Sequence, residues 1–458
     1  MPWTRRKKAT GSFVQFRTDP LTTRASRLTT HHTHHTHHTH HTHHTHHTHR
    51  GRWNDTWKDW LGRTKIKGGR TCGIANDFWN RYKEDVDRAR EIGSNAFRLS
   101  LEWSRLQTSP GAPLDPEAVA RFHEIIDYLK RNDMEPFLSM HHYVHPQWFE
   151  DLGGFERLEN VRHFVDYGKL VMREFGSKVR FWCTFNEPGV ASFAGFVHGS
   201  FPPGKLGRIQ GYGEHLRNML IAHAEAYDAV KAINPDASVG IVHNWFTFEP
   251  AQNCCGFLPY VPPYVTFMAG LLNRMWGNDI LIRFLKTGEF DYDPLWGWYG
   301  RVKYTHPSGA PGCDHFGLNY YSRGLMDWKL QSVANPCEVM TDMPYALWAE
   351  GLFGALDGIS ELGVPVYITE TGCADRGDAV RPVMIETYFS AIEEARRRKY
   401  DLRGVLYWSL VDNFEWAFGY TMKFGVVGYD EDGEELERRE KEASCGLLRH
   451  WFQRLKGL

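Results

Sequence analysis

An α/β barrel is the fold this sequence predicts, and three observations carry the prediction. Short apolar runs recur along the chain with helical segments between them. The runs are almost continuously apolar, which marks strands covered on both faces. Polar and aromatic residues gather where the runs end, as at the C-terminal rim of a (β/α)8 TIM barrel, the face that carries its active site.

The strands, in order, are "NAFRLSL" (95–101), "EPFLSMH" (135–141), "FWCTFNE" (181–187), "SVGIVHNW" (238–245), "HFGLNYY" (315–321), "PVYITE" (365–370) and "RGVLYWSL" (403–410). Among the helices, "DPEAVARFHEIIDYLKRN" (115–132) has Asp115 placed to cap and Pro116 in the first turn. Its Val119, Phe122, Ile126 and Leu129 share one face. A second, "HLRNMLIAHAEAYDAVKAIN" (215–234), follows the third strand. A third, "MIETYFSAIEEARRRK" (384–399), places Ile385, Tyr388, Phe389 and Ile392 at helical spacing, with basic residues in its last turn. Strands alternating with helices make parallel βα units. Seven strands are one short of the eight that close the barrel, and a His/Thr repeat precedes them.

That repeat, "HHTHHTHHTHHTHHTHHTH" (31–49), holds 13 of the 25 histidines. It has no apolar face to bury, so residues 1–50 form a low-complexity segment predicted to be disordered, ahead of a barrel domain over 51–458. Clustered imidazoles can take up transition metals, but a spacer or a translated simple nucleotide repeat is the favoured reading. The 42% apolar and 14% aromatic content supplies a core large enough for one long barrel.

A formal net charge of -1 recommends neither nucleic acid nor an anionic membrane as partner. No stretch approaches the ~18 apolar residues of a membrane span, and the first thirty residues lack a secretory signal's apolar region. The eight cysteines form no C-x-x-C pair and no zinc spacing, which favours buried thiols and a reducing, cytoplasmic compartment. The basic, Ser/Thr-bearing start also fits an organelle transit peptide. No cofactor and no metal are expected.

At the strand ends stand Arg98, His141, His142, Asn186, Glu187, Asn319, Tyr321, Glu370 and Trp408. Only Glu187 and Glu370 are carboxylates right at a strand end. Taken singly, each reads as an ion-pair partner, for instance of Arg98. Taken together, and without metal-ligand spacing, they are the parts needed to cleave a glycoside.

"TFNEP" (184–188) and "YITETG" (367–372) resemble the acid/base and nucleophile motifs of glycoside hydrolase family 1, the β-glucosidase family. "NAFRLSLEWSR" (95–105), "DNFEWAFGY" (412–420) and "KFGVVGYD" (423–430) resemble its other signatures in the right order, from about residue 52 to the C-terminus. The resemblance implies a retaining β-glycosidase that releases unphosphorylated sugars from small aglycones or short oligosaccharides. It makes Glu187 the acid/base and Glu370 the nucleophile. Arg98, Asn319 and Tyr321 would support the nucleophile. His142, Asn186, Trp408, Glu415 and Trp416 would bind the sugar, while His141 is structural. Glu415 would repel a phosphorylated sugar.

Two departures from the family pattern stand out. The family's first strand, which carries a sugar-binding Gln, is missing or replaced by the His/Thr repeat, although "RWNDTWKDW" (52–60) resembles the segment that follows it; "FVQF" (13–16) has a Gln but nothing that marks it as that strand. Thr371 stands where the family usually has Asn. Three alternatives follow: a transglycosylase of the galactolipid-remodelling type, an impaired enzyme, and a non-catalytic binding protein like the klotho co-receptors. The last is disfavoured because both glutamates remain. Residues 246–314, rich in Trp, Tyr, Pro and Gly, are expected to form long loops over the pocket mouth.

Overall fold

The computed structural model describes residues 13–15 (backbone), 65–252, 261–430 and 436–456. The His/Thr repeat and "RWNDTWKDW" lie outside them.

The barrel strands are β1 (Phe13–Gln15), β2 (Ala96–Ser100), β3 (Glu135–His141), β4 (Phe181–Asn186), β5 (Ser238–Asn244), β6 (His315–Asn319), β7 (Val366–Thr371) and β8 (Leu402–Tyr407). They pair in the order β1-β8-β7-β6-β5-β4-β3-β2. From β2 to β8 every pairing is parallel, so all seven predicted strands are present, each within a few residues of its predicted ends.

The eighth position differs from the usual closure. β1 runs antiparallel to β8, with Gln15 opposite Gly404 and Phe13 opposite Leu406. Its direction is reversed, and its glutamine lies level with the lower half of β8 rather than at the C-terminal rim. Residues 13–15 therefore lie along β8 without becoming a parallel first strand.

The helices are α1 (Phe78–Glu91), α2 (Pro116–Arg131), α3 (Val161–Phe175), α4 (Ile209–Ile233), α5 (Pro263–Trp276), α6 (Asn278–Thr287), α7 (Gly351–Ser360), α8 (Arg381–Arg397) and α9 (Glu442–Lys456), besides several single turns. The Asp115 carboxylate accepts from the Ala118 N–H at 2.9 Å and caps α2. Phe122, Ile126 and Leu129 turn inward as their spacing requires. At the other end of the domain the buried Arg438 guanidinium pairs with Asp85 of α1 at 2.8 Å, tying the C-terminal segment to the first helix.

The expectation of loops over 246–314 is corrected. Among its described residues that segment holds α5, α6 and three short strands, Phe248–Pro250, Glu289–Tyr292 and Val302–Thr305, the last two paired as a hairpin. Val265, Ala269 and Met275 of α5 turn into the protein. Val265 and Ala269 stand four apart, and the partly buried Leu272 and buried Met275 follow at steps of three, a helical signal amid abundant Trp, Tyr, Pro and Gly.

Inside the barrel an apolar layer of Ala96, Phe137, Phe181, Cys183, Val242, Tyr367 and Leu406 fills the lower half. Phe137 and Phe181 stack at 5.4 Å, and His315 meets both rings edge-on. This plug supports the polar layer above it and closes the floor to water. Polar residues also occur within strands, several of them with side-chain partners. Thr184, for example, meets the His223 ring of α4 at 2.8 Å.

Candidate active site

Both carboxylate-bearing strands break register just before their rim. β4 shifts against β5 between Cys183 and Asn186. β7 shifts against β6 between Ile368 and Glu370. Such irregularities re-aim side chains that a regular pleat would send elsewhere. Glu187 then takes a left-handed backbone (φ 47°, ψ 61°), held by its N–H donating to the Val242 carbonyl at 2.9 Å. That conformation is costly for a residue with a Cβ and clusters at functional sites. Gly372 serves the other strand. A Cβ there would stand 1.8 Å from the Trp408 carbonyl oxygen, so only glycine lets β7 and β8 end side by side.

Around Glu370 the partners are one cation and one phenol. Arg98 Nη1 donates to Oε1 at 2.5 Å, and the Tyr321 hydroxyl donates to Oε2 at 2.7 Å. All three groups are buried. The Arg98 ion pair answers the cost of burying a carboxylate, which unpaired would be several kcal/mol. The arginine also donates through Nε to Ser139 (3.2 Å) and through Nη2 to Asn186 Oδ1 (2.6 Å).

Around Glu187 every partner is neutral. Asn319 Nδ2 donates to Oε1 at 2.6 Å and Asn244 Nδ2 at 3.2 Å, while the Tyr143 hydroxyl bonds Oε2. Burial first, then the charge of Glu370, pushes this carboxyl up to about 7. Asn319 is fixed in turn, donating also to Asn186 Oδ1 (3.2 Å) and meeting Thr369 Oγ1 through its Oδ1 (2.7 Å).

The remaining predicted residues lie on the same rim. His142 follows β3 and its Nδ1 meets Ser100 Oγ at 2.9 Å. Its ring stands 6.1 Å from Trp408 and 5.6 Å from Trp416. Trp408 packs with Tyr321 and Tyr345. Glu415 presents an Oε2 that has no hydrogen-bond partner among the described residues, and Asn186 Nδ2 is in the same condition. Buried polar atoms without partners mark the places where a ligand would satisfy them. Burial, then Glu370 and Glu187, push Glu415 up to about 8. His141, by contrast, is enclosed by Phe155, Phe164 and Phe185 and meets His145 Nδ1 at 3.4 Å, the surroundings of a structural ring.

Ten residues named from sequence thus meet at one rim, and three others join them. Asn244 ends β5 as Asn186 ends β4, so the strand-end rule itself could have found it. Tyr143 directly follows His142, with no signal beyond that adjacency. Thr369 alternates with Glu370 along β7 and is found only through its contact.

A small cleft lies beside the site, between β2 (Arg98, Ser100) and the end of β8 (Tyr407, Trp408). It lies at the junction where those two strands fail to pair with each other.

The sequence profile described as Glycosyl hydrolase family 1 matches residues 45–255 and 311–455. A 1,4-beta-D-glucan glucohydrolase of Thermotoga neapolitana is 29% identical over 80% of this chain and 88% of its own length. The structure of a beta-glycosidase from Pyrococcus horikoshii superposes with a TM-score of 0.75 at 28% identity, over 91% of this chain and 95% of that one. A family 1 b-glucosidase from Thermotoga maritima gives 0.74 at 26% identity, over 86% and 90%. The matched profile, the barrel and its paired rim carboxylates agree, and the chain belongs to glycosyl hydrolase family 1.

Proposed function

We propose that this protein is a retaining β-glycosidase that hydrolyses β-linked, unphosphorylated sugars from small aglycones or short oligosaccharides. The observation that carries the reading is the unequal treatment of two carboxylates in one network. Glu370 is held by a guanidinium and a phenol, as suits an anionic nucleophile. Glu187 has only neutral partners and is pushed up to about 7, as suits an acid that must hold its proton at neutral pH.

Glu370 attacks the anomeric carbon while Glu187 protonates the departing oxygen. A glycosyl-enzyme forms, and Glu187 then takes a proton from the water that releases the sugar. This double displacement needs carboxyl groups about 5–5.5 Å apart. Asn186 reaches the sugar 2-hydroxyl through its unpartnered Nδ2, and Glu415 reaches the outer hydroxyls through its unpartnered Oε2. His142 and Trp416 border the ring, and Trp408 lies beneath it. Arg98, Asn319 and Tyr321 hold the two carboxylates. The negative surroundings that push Glu415 up to about 8, chiefly its burial and then Glu370 and Glu187, would equally oppose a phosphate on the sugar. Residues 51–458 form the catalytic domain in this reading.

The test is incubation with a 2-deoxy-2-fluoro-β-glucoside, and its galactosyl analogue, each bearing a good leaving group. Intact mass and peptide mapping should find one sugar attached at Glu370. Folded protein that takes up neither sugar would refute the reading.

A further inference from the structure

The hydrogen bonds around Glu187 decide which of its oxygens carries the acid proton. Arg98 can only donate, so the Asn186 oxygen it meets at 2.6 Å is an acceptor. The Asn319 nitrogen, 3.2 Å from that same oxygen, must then be the amide's donor end. That nitrogen lies 2.6 Å from Glu187 Oε1, and the Asn244 nitrogen lies 3.2 Å from it. A proton on Oε1 would face N–H groups that cannot accept it. The proton therefore belongs on Oε2, where the partner among the described residues is the Tyr143 hydroxyl. Of the three partners, only a hydroxyl can both accept and donate.

Resting on the reading of Glu187 as acid/base, we propose that Tyr143 is a positioning residue that keeps the acid proton on Glu187 Oε2. Its hydroxyl accepts from the protonated acid and turns to donate once the carboxylate forms. In the first half-reaction the proton on Oε2 passes to the glycosidic oxygen as the bond to the anomeric carbon breaks and the Glu370 bond forms. In the second, a proton from water returns to Oε2 as that ester bond breaks. Tyr143 keeps its own proton throughout, and burial, then Glu187, holds its phenol well above the ordinary range.

The surroundings fix the ring in this role. Tyr143 is 7% exposed and its backbone is left-handed (φ 64°). Its ring meets Trp416 edge-on at 4.9 Å and Phe201 at 5.4 Å. The phenol thereby links the sugar-binding tryptophan to the acid, so filling the glycon site braces the proton donor.

The test is Tyr143→Phe, which keeps the ring contacts and removes the hydroxyl. Other titratable groups acting on Glu187 are Glu370, Glu415, Tyr321 and Tyr345, with Arg98 beyond Asn186, and all remain. With a glucoside whose leaving group needs protonation, kcat/KM should fall roughly 10- to 100-fold, while a dinitrophenyl glucoside, which needs none, should lose less than about 3-fold. The alkaline limb of the profile should move to higher pH, because the bond donated to the carboxylate is lost and is stronger than the one accepted from the acid.

An equal fall on both substrates with an unmoved limb would leave Tyr143 a packing residue and overturn the proposal. Fluoro-sugar labelling of the variant at Glu370 shows that it has folded. If it does not label, a 13C titration of Glu187 in Tyr143→Trp decides; Trp can donate but not accept, and an unchanged midpoint overturns the proposal. Failure of the unaltered chain to label at Glu370 removes the acid/base reading and the tyrosine's role with it.

Discussion

The two halves of the pocket solve one problem, a buried carboxylate, in opposite ways. On the β7 side Glu370 is met by the Arg98 guanidinium and the Tyr321 hydroxyl. On the β4 side Glu187 is met by two amides and the Tyr143 hydroxyl, with no cation in contact among the described residues. Arg98 touches both halves, as ion-pair partner of Glu370 and, through Asn186, as the group that orients Asn319 toward Glu187. In the proposed mechanism, what separates the nucleophile from the acid is the position of one guanidinium. Burial pushes the carboxyl it does not reach up to about 7.

Removing the nucleophile breaks the comparison outright. Glu370→Gln should lower kcat roughly 10⁴-fold or more on every substrate and abolish fluoro-sugar labelling, as mass spectrometry would show. Removing the acid should be selective. Glu187→Gly should cost about 10²- to 10⁴-fold on glucosides with poor leaving groups and far less on a dinitrophenyl glucoside. Azide, small enough to take the vacated space, should restore turnover and yield the β-glycosyl azide; loss without rescue would contradict the assignment.

Uncoupling the halves is a matter of stability as well as rate. Arg98→Met leaves Glu370 buried without its cation and should cost about 3–5 kcal/mol in denaturant unfolding. A loss under about 1 kcal/mol would mean that Glu370 does not depend on the pair.

The smallest effect concerns Glu415. Its carboxyl rises from 4.5 to about 8 on folding. Below pH 4.5 folded and unfolded chains both hold the proton, so this group leaves stability unchanged. As pH climbs from there to 8, the unfolded chain releases the proton and the folded chain keeps it, so stability falls. Glu415→Gln removes that fall and should melt a few °C above the unaltered chain at pH 8, the gap closing near pH 4.5.

Legibility from sequence followed the range of each interaction. The Asp115 cap of α2 and the apolar face behind it act within a few residues and were read directly. So were the seven parallel strands, whose apolar runs need only neighbours above and below. The ten rim residues came from motif order. Tyr143 is not legible because its importance lies in touching Glu187, 44 positions away, whereas Asn244 stands at a strand end and is open to the same rule as Asn186. The helices of 246–314 are hidden by abundant Trp, Tyr, Pro and Gly, although Val265, Ala269, Leu272 and Met275 keep a helical spacing.

The sequence by itself determined the barrel, the strand ends that form its rim, and the identity of the two carboxylates. These follow from local periodicity and from motifs that each lie within one βα unit. Only the tertiary structure decided how the carboxylates differ. The register shifts that turn Asn186 and Glu370 inward arise from strands pairing with one another. The Arg98–Glu370 pair spans 272 positions and the Asn319–Glu187 bond 132. A proton's affinity for a carboxylate depends on burial and on the charges beside it, which exist only after those distant segments have met.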